Sequence, residues 1–350
     1  MKVKAASYNI YLLPLLMPLK LIVPLAILIT ILSCGQQDKD GKKNYSNILE
    51  SPQLAGITDS IKRFPGDPEL LLRRGLMLSH MNQHEAATPD YKKAWELSGD
   101  EFVALDLASN LMLSQKLPEA ITILENGIKK FPGNTEFNRR LAEIYLHKGN
   151  FDAAIAEYDK MISTDSSNFE TWYEKGSLQA RLKDTANAIK SLERSFALMP
   201  INYSGMLLSE IYVAKKNPRV LQICNVLLSR DTGKIQTEPV FMKGVYFADM
   251  KQYDSALSLF DECIRRDWKM TDAYIEKGII LFEKKHYDQA LKVFNMTVTV
   301  SNTDADGYYW LGRCYEATGK LEDAIANYQR AIALDRTFTE ARAALRRLNG

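Results

Sequence analysis

The stretch "DGYYWLGRCYEATGKLEDAIANYQRAIALD" (306–335) aligns with "DAYIEKGIILFEKKHYDQALKVFNMTVTV" (272–300) and "EPVFMKGVYFADMKQYDSALSLFDECIRR" (238–266). Three kinds of residue recur at a spacing of 34: a glycine, an alanine 12 residues later and a bulky side chain four residues after that. These residues are Gly312, Ala324 and Tyr328; Gly278, Ala290 and Phe294; and Gly244, Ala256 and Phe260. A fixed internal period of this length is typical of a solenoid built from repeated helix pairs.

The same pattern continues towards the N-terminus. The small position is filled by Gly176, Ala142, Ala108 and Gly75, the alanine position by Ala188, Ala154, Ala120 and Ala87, and the bulky position by Leu192, Tyr158, Leu124 and Tyr91. One repeat, 202–236, drifts by one or two residues and places Ser209, Val220 and Cys224 in these positions. The segment "SRDTGKIQ" (229–236) then restores the spacing.

Packing explains these residue types. A glycine inside a helix costs about 1 kcal/mol relative to alanine, so its recurrence requires a compensating close approach of a second helix. Short polar turns such as "HKGNFD" (147–152), "DMKQYD" (249–254) and "EKKHYD" (283–288) separate the two halves of each repeat. Turns this short make neighbouring helices antiparallel.

On these residues the chain resembles the tetratricopeptide repeat family, which has Gly or Ala at position 8, Ala at 20, an aromatic at 24 and often Pro at 32. Pro132 and Pro200 match the last position, whereas Arg336, Asn302 and Ser166 depart from it. The resemblance implies an all-α, right-handed α-solenoid of about eight helix-turn-helix units. The repeats are 68–100, 101–134, 135–168, 169–201, 202–236, 237–270, 271–304 and 305–338.

A half-unit is expected to cap each end of the array. "KRFPGDPE" (62–69) is similar to "KKFPGNTE" (129–136), so 51–67 is interpreted as a lone N-terminal capping helix. At the other end, 339–350 is interpreted as a C-terminal capping helix. Together with Phe338, it places Ala341, Leu345 and Leu348 on one face and arginines on the other. A polar outer face on a terminal unit keeps a solenoid soluble.

The N-terminus has the composition of an export signal. An apolar run at 21–33, "LIVPLAILITILS", follows Lys20 and is shorter than the roughly 20 residues that a membrane span needs. Its end, "ILSC" (31–34), resembles a bacterial lipobox, in which the cysteine receives the lipid. We therefore expect 1–33 to be a lipoprotein signal peptide, with Met17 as a possible true start, and Cys34 to be lipidated. The alternative is an uncleaved anchor helix over 8–33, although its prolines and Lys20 disfavour one.

Residues 34–50 show no hydrophobic periodicity and are expected to be a flexible tether. Gly35 stands where inner-membrane retention signals usually carry Asp, which favours the outer membrane. The run "QQDKD" (36–40) is similar to export tracts of surface lipoproteins in the Bacteroidota. The expected location is the bacterial cell envelope, with the periplasmic or surface-exposed side left open.

Composition and motifs argue against several other classes of function. The chain from Cys34 onward has a net charge of −1, so it lacks the basic face that nucleic-acid binding requires. The sequence shows no phosphate loop, dinucleotide fingerprint or nucleophile elbow, so we expect no catalysis, cofactor or metal. His80 and His84 are spaced like a metal pair but flank a predicted turn. Apart from Cys34, the cysteines form no disulfide framework and are expected to be buried.

A binding groove is what the family resemblance implies. In this family the first helices line the concave face through positions 2, 5, 9, 12 and 13, where this chain carries apolar and aromatic residues. The expected partner, a protein or peptide of the envelope, would contact Tyr173, Phe241, Tyr309, Arg313, Arg139 and Met206. For Leu72, Leu105 and Ile275, packing between repeats is favoured. The alternative function is glycan or nutrient capture beside an outer-membrane transporter, which the absence of large insertions between repeats disfavours.

Overall fold

A computed structural model describes residues 45–349, and every regular element in that range is an α-helix. The helices are α1 (Ser46–Leu49), α2 (Ala55–Arg63), α3 (Pro68–His80), α4 (His84–Ser98), α5 (Glu101–Leu113), α6 (Leu117–Lys130), α7 (Glu136–His147), α8 (Phe151–Thr164), α9 (Phe169–Arg181), α10 (Thr185–Leu198), α11 (Asn202–Ala214), α12 (Arg219–Arg230), α13 (Glu238–Asp249), α14 (Tyr253–Arg266), α15 (Thr271–Glu283), α16 (Tyr287–Val300), α17 (Ala305–Ala317), α18 (Leu321–Leu334) and α19 (Thr339–Asn349). The all-α prediction is confirmed. The predicted signal peptide, Cys34 and most of the predicted tether lie outside the described residues.

The helices form two compact units, 45–178 and 179–349, with the boundary inside α9. In the first unit α3 packs on α4, α5 on α6 and α7 on α8. In the second unit α11 packs on α12, α13 on α14, α15 on α16 and α17 on α18. Within each unit, one pair also packs on the next, as a helix-pair stack requires. We refer to the odd-numbered helices α3 to α17 as first helices and to their partners as second helices.

The turn inside each pair has one backbone geometry in all eight repeats. A residue in the left-handed conformation ends each turn, with φ between 52° and 77°; these residues are Asn82, Gln115, Gly149, Lys183, Lys216, Lys251, Lys285 and Gly319. The next backbone N–H then donates to the carbonyl five residues earlier, as from Gln252 to Phe247 at 2.8 Å and from His286 to Leu281 at 2.9 Å. This Schellman arrangement satisfies carbonyls at the end of the first helix and reverses the chain.

Small and bulky residues interlock where the two helices of a pair cross. A Cβ atom added to Gly244 would lie 2.7 Å from the ring of Phe260, and one added to Gly312 would lie 2.7 Å from the ring of Tyr328. Both rings are completely buried. In the drifting repeat, Ser209 and Cys224 meet at 3.4 Å between Oγ and Sγ. The glycines are therefore required by close packing of their helices.

A buried aspartate organises the longer connection that restores the repeat spacing. Asp231 accepts hydrogen bonds from the backbone N–H groups of Ile235 at 3.0 Å and Gln236 at 2.9 Å. Arg266, from the next second helix, lies 3.3 Å from the same carboxylate and also donates to the carbonyl of Gln236 at 2.7 Å. The connection thus has its own satisfied polar network within a largely apolar stack.

The end of the predicted tether differs from expectation. Residues 46–49 form the short helix α1, and Tyr45, Ile48 and Leu49 pack against the core of the first unit. The Leu49 carbonyl accepts a 2.9 Å hydrogen bond from Thr58 on α2. These three side chains are apolar or aromatic, so burial favours an ordered end over a solvated one. Residues 45–50, which the prediction assigned to the tether, are therefore part of the first unit.

The last helix covers the end of the second unit. Ala341 and Ala344 of α19 are buried, and Leu345 and Leu348 pack against Ala324 and Tyr328. On the outer side, Arg347 donates to both carboxylate oxygens of Glu316, at 2.6 and 2.8 Å. The helix thus has one apolar face towards α17 and α18 and one charged face.

Substituting Gly244 should test the close packing directly. We expect Gly244→Ala to lower the free energy of unfolding by about 1–2 kcal/mol, because overpacking costs about 1–3 kcal/mol and the better helix former returns up to about 1 kcal/mol. Urea unfolding followed by circular dichroism measures this change.

The matched control is Gly56→Ala, since Gly56 is helical and a Cβ there would meet nothing within 4 Å. It should stabilise the chain. The double variant Gly244→Ala/Phe260→Leu, which reproduces the Ala108–Leu124 combination, should lose less than the sum of the single variants. Strictly additive losses would mean that the two residues do not share one packing constraint.

Candidate functional site

The outward side of the first helices in residues 45–178 forms one surface, which we call the N-terminal face. Residues at repeat positions 2, 6, 9 and 13 are spaced i, i+4, i+7 and i+11, so they lie on one side of each helix. They are Glu69, Arg73, Leu76 and His80 on α3; Phe102, Asp106, Ser109 and Leu113 on α5; Glu136, Arg140, Glu143 and His147 on α7; and Glu170, Glu174 and Ser177 on α9. All of them are exposed or half-buried.

Polar contacts join these four helices side by side. Ser79 of α3 donates to Asn110 Oδ1 of α5 at 2.9 Å, and Arg140 of α7 donates to the Leu105 carbonyl of α5 at 3.4 Å. Arg139 of α7 pairs with Glu174 of α9. The N-terminal face is therefore continuous across four repeats.

Helix α5 presents two large apolar side chains on this face. Phe102 is 67% exposed and Leu113 is 62% exposed, whereas Leu105 of the same helix is 6% exposed. Leu76 on α3 is 38% exposed. The contact residues predicted from the sequence all lie at positions 5 and 9, so they do not include Phe102 and Leu113. Large apolar residues at positions 2 and 13, which the family resemblance assigns to the concave face, were the sequence signal that could have identified them.

Carboxylates crowd the other half of the face. Burial raises the pKa of Glu174 to about 7; Arg139 opposes this shift, and Glu170, Glu143 and Glu136 add to it. Burial also raises the pKa of the half-buried Asp106, and Arg140 partly offsets this shift. Arg139 and Arg140 thus each interact with more than one carboxylate. The negative potential of α7 and α9 is therefore only partly neutralised.

Two of the predicted contact residues, Arg139 and Tyr173, belong to this unit. Arg139 is 22% exposed, pairs with Glu174 and lies 3.5 Å from Glu136. Tyr173 is half-buried on α9. Arg139 therefore acts mainly within the protein, by fixing the carboxylates around it.

Tyr309 and Arg313, predicted as contacts, form an aromatic cluster in residues 179–349. The Arg313 guanidinium lies 5.2 Å from the ring centre of Phe282 and 5.5 Å from that of Trp310, and it donates to the Tyr309 hydroxyl at 3.1 Å. The ring centres of Tyr309 and Phe338 are 5.0 Å apart. Tilted and edge-to-face, half-buried rings around an arginine form a rigid patch of the kind enriched at interfaces.

A carboxylate beside this cluster is held in its charged form. Burial alone would raise the pKa of Glu316, but hydrogen bonds from Tyr328 and Arg347 bring it below its usual value. Glu316 thus links α17 to α18 and α19 and stabilises the position of the cluster.

Phe241 and Met206, also predicted as contacts, are not accessible to a partner. Phe241 is 1% exposed and its ring centre lies 5.6 Å from that of Phe260, while Met206 is 3% exposed. The reason is that both residues occupy repeat position 5, which faces neighbouring helices: α11 packs on α13, and Phe241 lies against Phe260 of α14. Leu105 and Ile275 are likewise buried.

Within 45–349 the side chains form no group of three or more His, Cys, Asp or Glu residues able to hold a metal ion. Cys224, Cys263 and Cys314 are free and buried, and burial raises the pKa of the Cys224 thiol to about 11 and those of Cys263 and Cys314 to about 12. The part of the chain that the structure describes contains no helix with the length and apolarity to cross a membrane.

Family models described as tetratricopeptide repeat match residues 111–182, 169–202, 241–305 and 305–338, together more than half of the chain. The General transcription factor 3C polypeptide 3 of Homo sapiens is 25% identical over 138 residues, which is 37% of this chain and 16% of that protein. The chain therefore matches about a sixth of this relative's length.

The chain is similar in structure to two solved proteins. The structure of PilW, a type IV pilus biogenesis factor, has a TM-score of 0.50 at 15% identity, over 62% of this chain and 98% of that one. The Cut9–Hcn1 hetero-tetramer of the APC/C has a TM-score of 0.47 at 15% identity, over 86% of this chain and 60% of that one. At such identity the likeness concerns the fold alone.

A buried carboxylate on α11 predicts a pH-dependent stability. Burial raises the pKa of Glu210 to about 7, and Glu210 Oε1 has no hydrogen-bond partner among the described residues. The folded state therefore holds this proton more tightly than the unfolded state. The resulting stability is complete below about pH 4.5 and is lost as the pH rises through 7.

We expect Glu210→Gln to raise the free energy of unfolding by about 1–2 kcal/mol at pH 8, after allowance for partial solvent screening, and to change it little at pH 4. Denaturant titrations at both pH values measure the difference. Glu125→Gln, an exposed carboxylate on α6, controls for the loss of one negative charge. Equal effects of Glu210→Gln at pH 4 and pH 8 would contradict a buried, ionising Glu210.

Proposed function

The chain belongs to the tetratricopeptide repeat family, and we propose that it is a non-catalytic scaffold that binds a protein or peptide on the exposed faces of its first helices while a lipid on Cys34 holds it in the bacterial envelope. Proteins of this fold act as protein-interaction scaffolds, which is the general function that the chain shares. The location, the anchor and the binding face are the proposal.

The observation that carries the proposal is the N-terminal face, with Phe102 and Leu113 exposed on a helix whose other side is fully packed. Two large apolar side chains exposed on the same side of one helix suit binding, since apolar and aromatic residues dominate interface energetics. The rigid helix stack presents these side chains with little ordering cost on binding. The aromatic cluster around Arg313 is a second rigid patch, within residues 179–349.

The anchor rests on the sequence at 20–34, where Lys20, a short apolar run and "ILSC" precede a polar stretch. A lipid on Cys34 would concentrate the scaffold at the membrane and so favour encounters with membrane-associated partners. The outer membrane is the favoured destination because Gly35 follows the cysteine.

In-cell photo-crosslinking tests the binding face. A photoreactive amino acid replacing Phe102 should give a discrete crosslinked species in envelope fractions, because this side chain is exposed on the proposed surface. The same amino acid at Phe64, which is 63% exposed but lies between α2 and α3, should not give that species. Identical adducts from both positions, or none at position 102, would argue against the N-terminal face as a binding surface.

Metabolic labelling with an alkyne fatty acid tests the anchor. The wild-type chain and Cys224→Ala should both be labelled, and Cys34→Ala should lose all label, because only Cys34 lies in a lipobox-like stretch. Washing envelope fractions with high salt should leave the wild type bound and release Cys34→Ala. Labelling that persists in Cys34→Ala would rule out lipidation at this cysteine.

A further inference from the structure

The N-terminal face also carries information about the chemistry of its partner. This inference rests on the proposed function, because it concerns what the same face binds. The face has two parts: an apolar part formed by Leu76 of α3 with Phe102 and Leu113 of α5, and a charged part that begins at Asp106 and extends over α7 and α9.

The apolar part lacks a cover among the described residues. Helix α5, "EFVALDLASNLML", buries Leu107, Ala108 and Leu111 completely on its core side. Phe102 and Leu113 lie on the other side and remain about two-thirds exposed. Two bulky side chains 11 residues apart lie about 16 Å apart along a helix, so they offer separate contacts rather than one pocket.

The charged part has an excess of acids. The acids of the N-terminal face are Glu69, Asp106, Glu136, Glu143, Glu170 and Glu174, and its arginines, with the adjoining Arg139, are Arg73, Arg139 and Arg140. With neutral histidines and every carboxylate counted as ionised, the formal charge of this surface is −3. The chain from Cys34 onward carries only −1 in total, so the negative charge is concentrated on this face.

The carboxylates are also short of partners. Glu174 Oε2 is buried without a hydrogen-bond partner in the described structure, although Glu174 Oε1 pairs with Arg139. Glu136 pairs with both Arg139 and Arg140, so these arginines are shared. Additional cations at α7 and α9 would reduce the repulsion that Glu136, Glu143 and Glu170 exert on Glu174.

We propose that the N-terminal face binds an extended, net-cationic segment of a partner protein, whose bulky apolar side chains contact Phe102 and Leu113 and whose Lys or Arg residues pair with the carboxylates of α7 and α9. Charge complementarity selects this occupant, since an acidic segment would face a net charge of −3 and a purely apolar one would leave the carboxylates uncompensated. Neighbouring helices pack about 8–10 Å apart, so a partner segment of about ten residues in extended conformation is long enough to cross all four first helices.

Fluorescence anisotropy with designed peptides tests the proposal on the full chain in mild detergent. The probe is a fluorescein-labelled peptide of about ten residues that alternates Lys with Leu and Phe. Two further probes replace every Lys by Gln or by Glu. We expect the Lys peptide to bind at least tenfold more tightly than the Gln peptide and to weaken with salt, and the Glu peptide to bind most weakly.

Exposed variants locate the site without disturbing the core. Phe102→Ser/Leu113→Ser and Glu143→Gln/Glu170→Gln should each weaken binding of the Lys peptide about tenfold, and only the second should also reduce the salt dependence. The matched controls, Phe64→Ser and Glu125→Gln, lie outside the face and should bind as the wild type does. Circular dichroism checks that each variant is folded.

Three results would overturn the inference. The Glu peptide could bind as tightly as the Lys peptide, or the two face variants could bind like the wild type. Sedimentation could also show a wild-type dimer that Phe102→Ser dissociates, which would make a second copy of this chain the occupant. A crosslinked partner at position 102 combined with no preference for Lys peptides would refute the cationic segment while leaving the proposed function intact.

Discussion

The fold depends on how closely the two helices of each repeat approach one another. Small residues at one position let an aromatic ring or a leucine from the second helix lie directly against the backbone of the first, as Phe260 does against Gly244. Each completely buried ring contributes about 1.5–3 kcal/mol through the hydrophobic effect, more than the roughly 1 kcal/mol that a helical glycine costs. Because a small residue meets its partner from the second helix at this crossing in every repeat, the stack gains stability repeat by repeat rather than from one central core.

The recurring turn complements this packing. Its left-handed residue is glycine only at Gly149 and Gly319; elsewhere lysine, glutamine or asparagine adopts a conformation that costs an L-residue about 1 kcal/mol. The chain accepts that cost because the Schellman hydrogen bonds satisfy the helix end and set the direction of the second helix. The eight turns differ in sequence but share one backbone geometry. Helix packing therefore determines this geometry together with the local preferences of the turn residues.

The repeat pattern made the helices and their pairing predictable, because small and bulky residues at a fixed spacing have one simple physical explanation. Which side chains of the first helices would be exposed to solvent was less predictable. Phe241 and Tyr309 occupy the same repeat position, yet Phe241 is covered where α11 and α13 pack together and Tyr309 is half-exposed beside Arg313. The difference depends on how closely consecutive repeats pack, which no single repeat encodes. The ordered end of the predicted tether also depends on context, since Tyr45, Ile48 and Leu49 become half-buried only because α2 and α4 provide a surface.

A helix-pair stack separates the requirements of folding from those of binding. The core side of α5 is fixed by its neighbours, so Leu107 and Leu111 cannot change without leaving a cavity. The outward side carries no such constraint, and its composition can match a partner: apolar at Phe102 and Leu113, acidic on α7 and α9. Shared arginines hold the carboxylates in place without neutralising them. The surface is therefore rigid and charged before any partner arrives, which lowers the ordering cost of binding and favours partners of opposite charge.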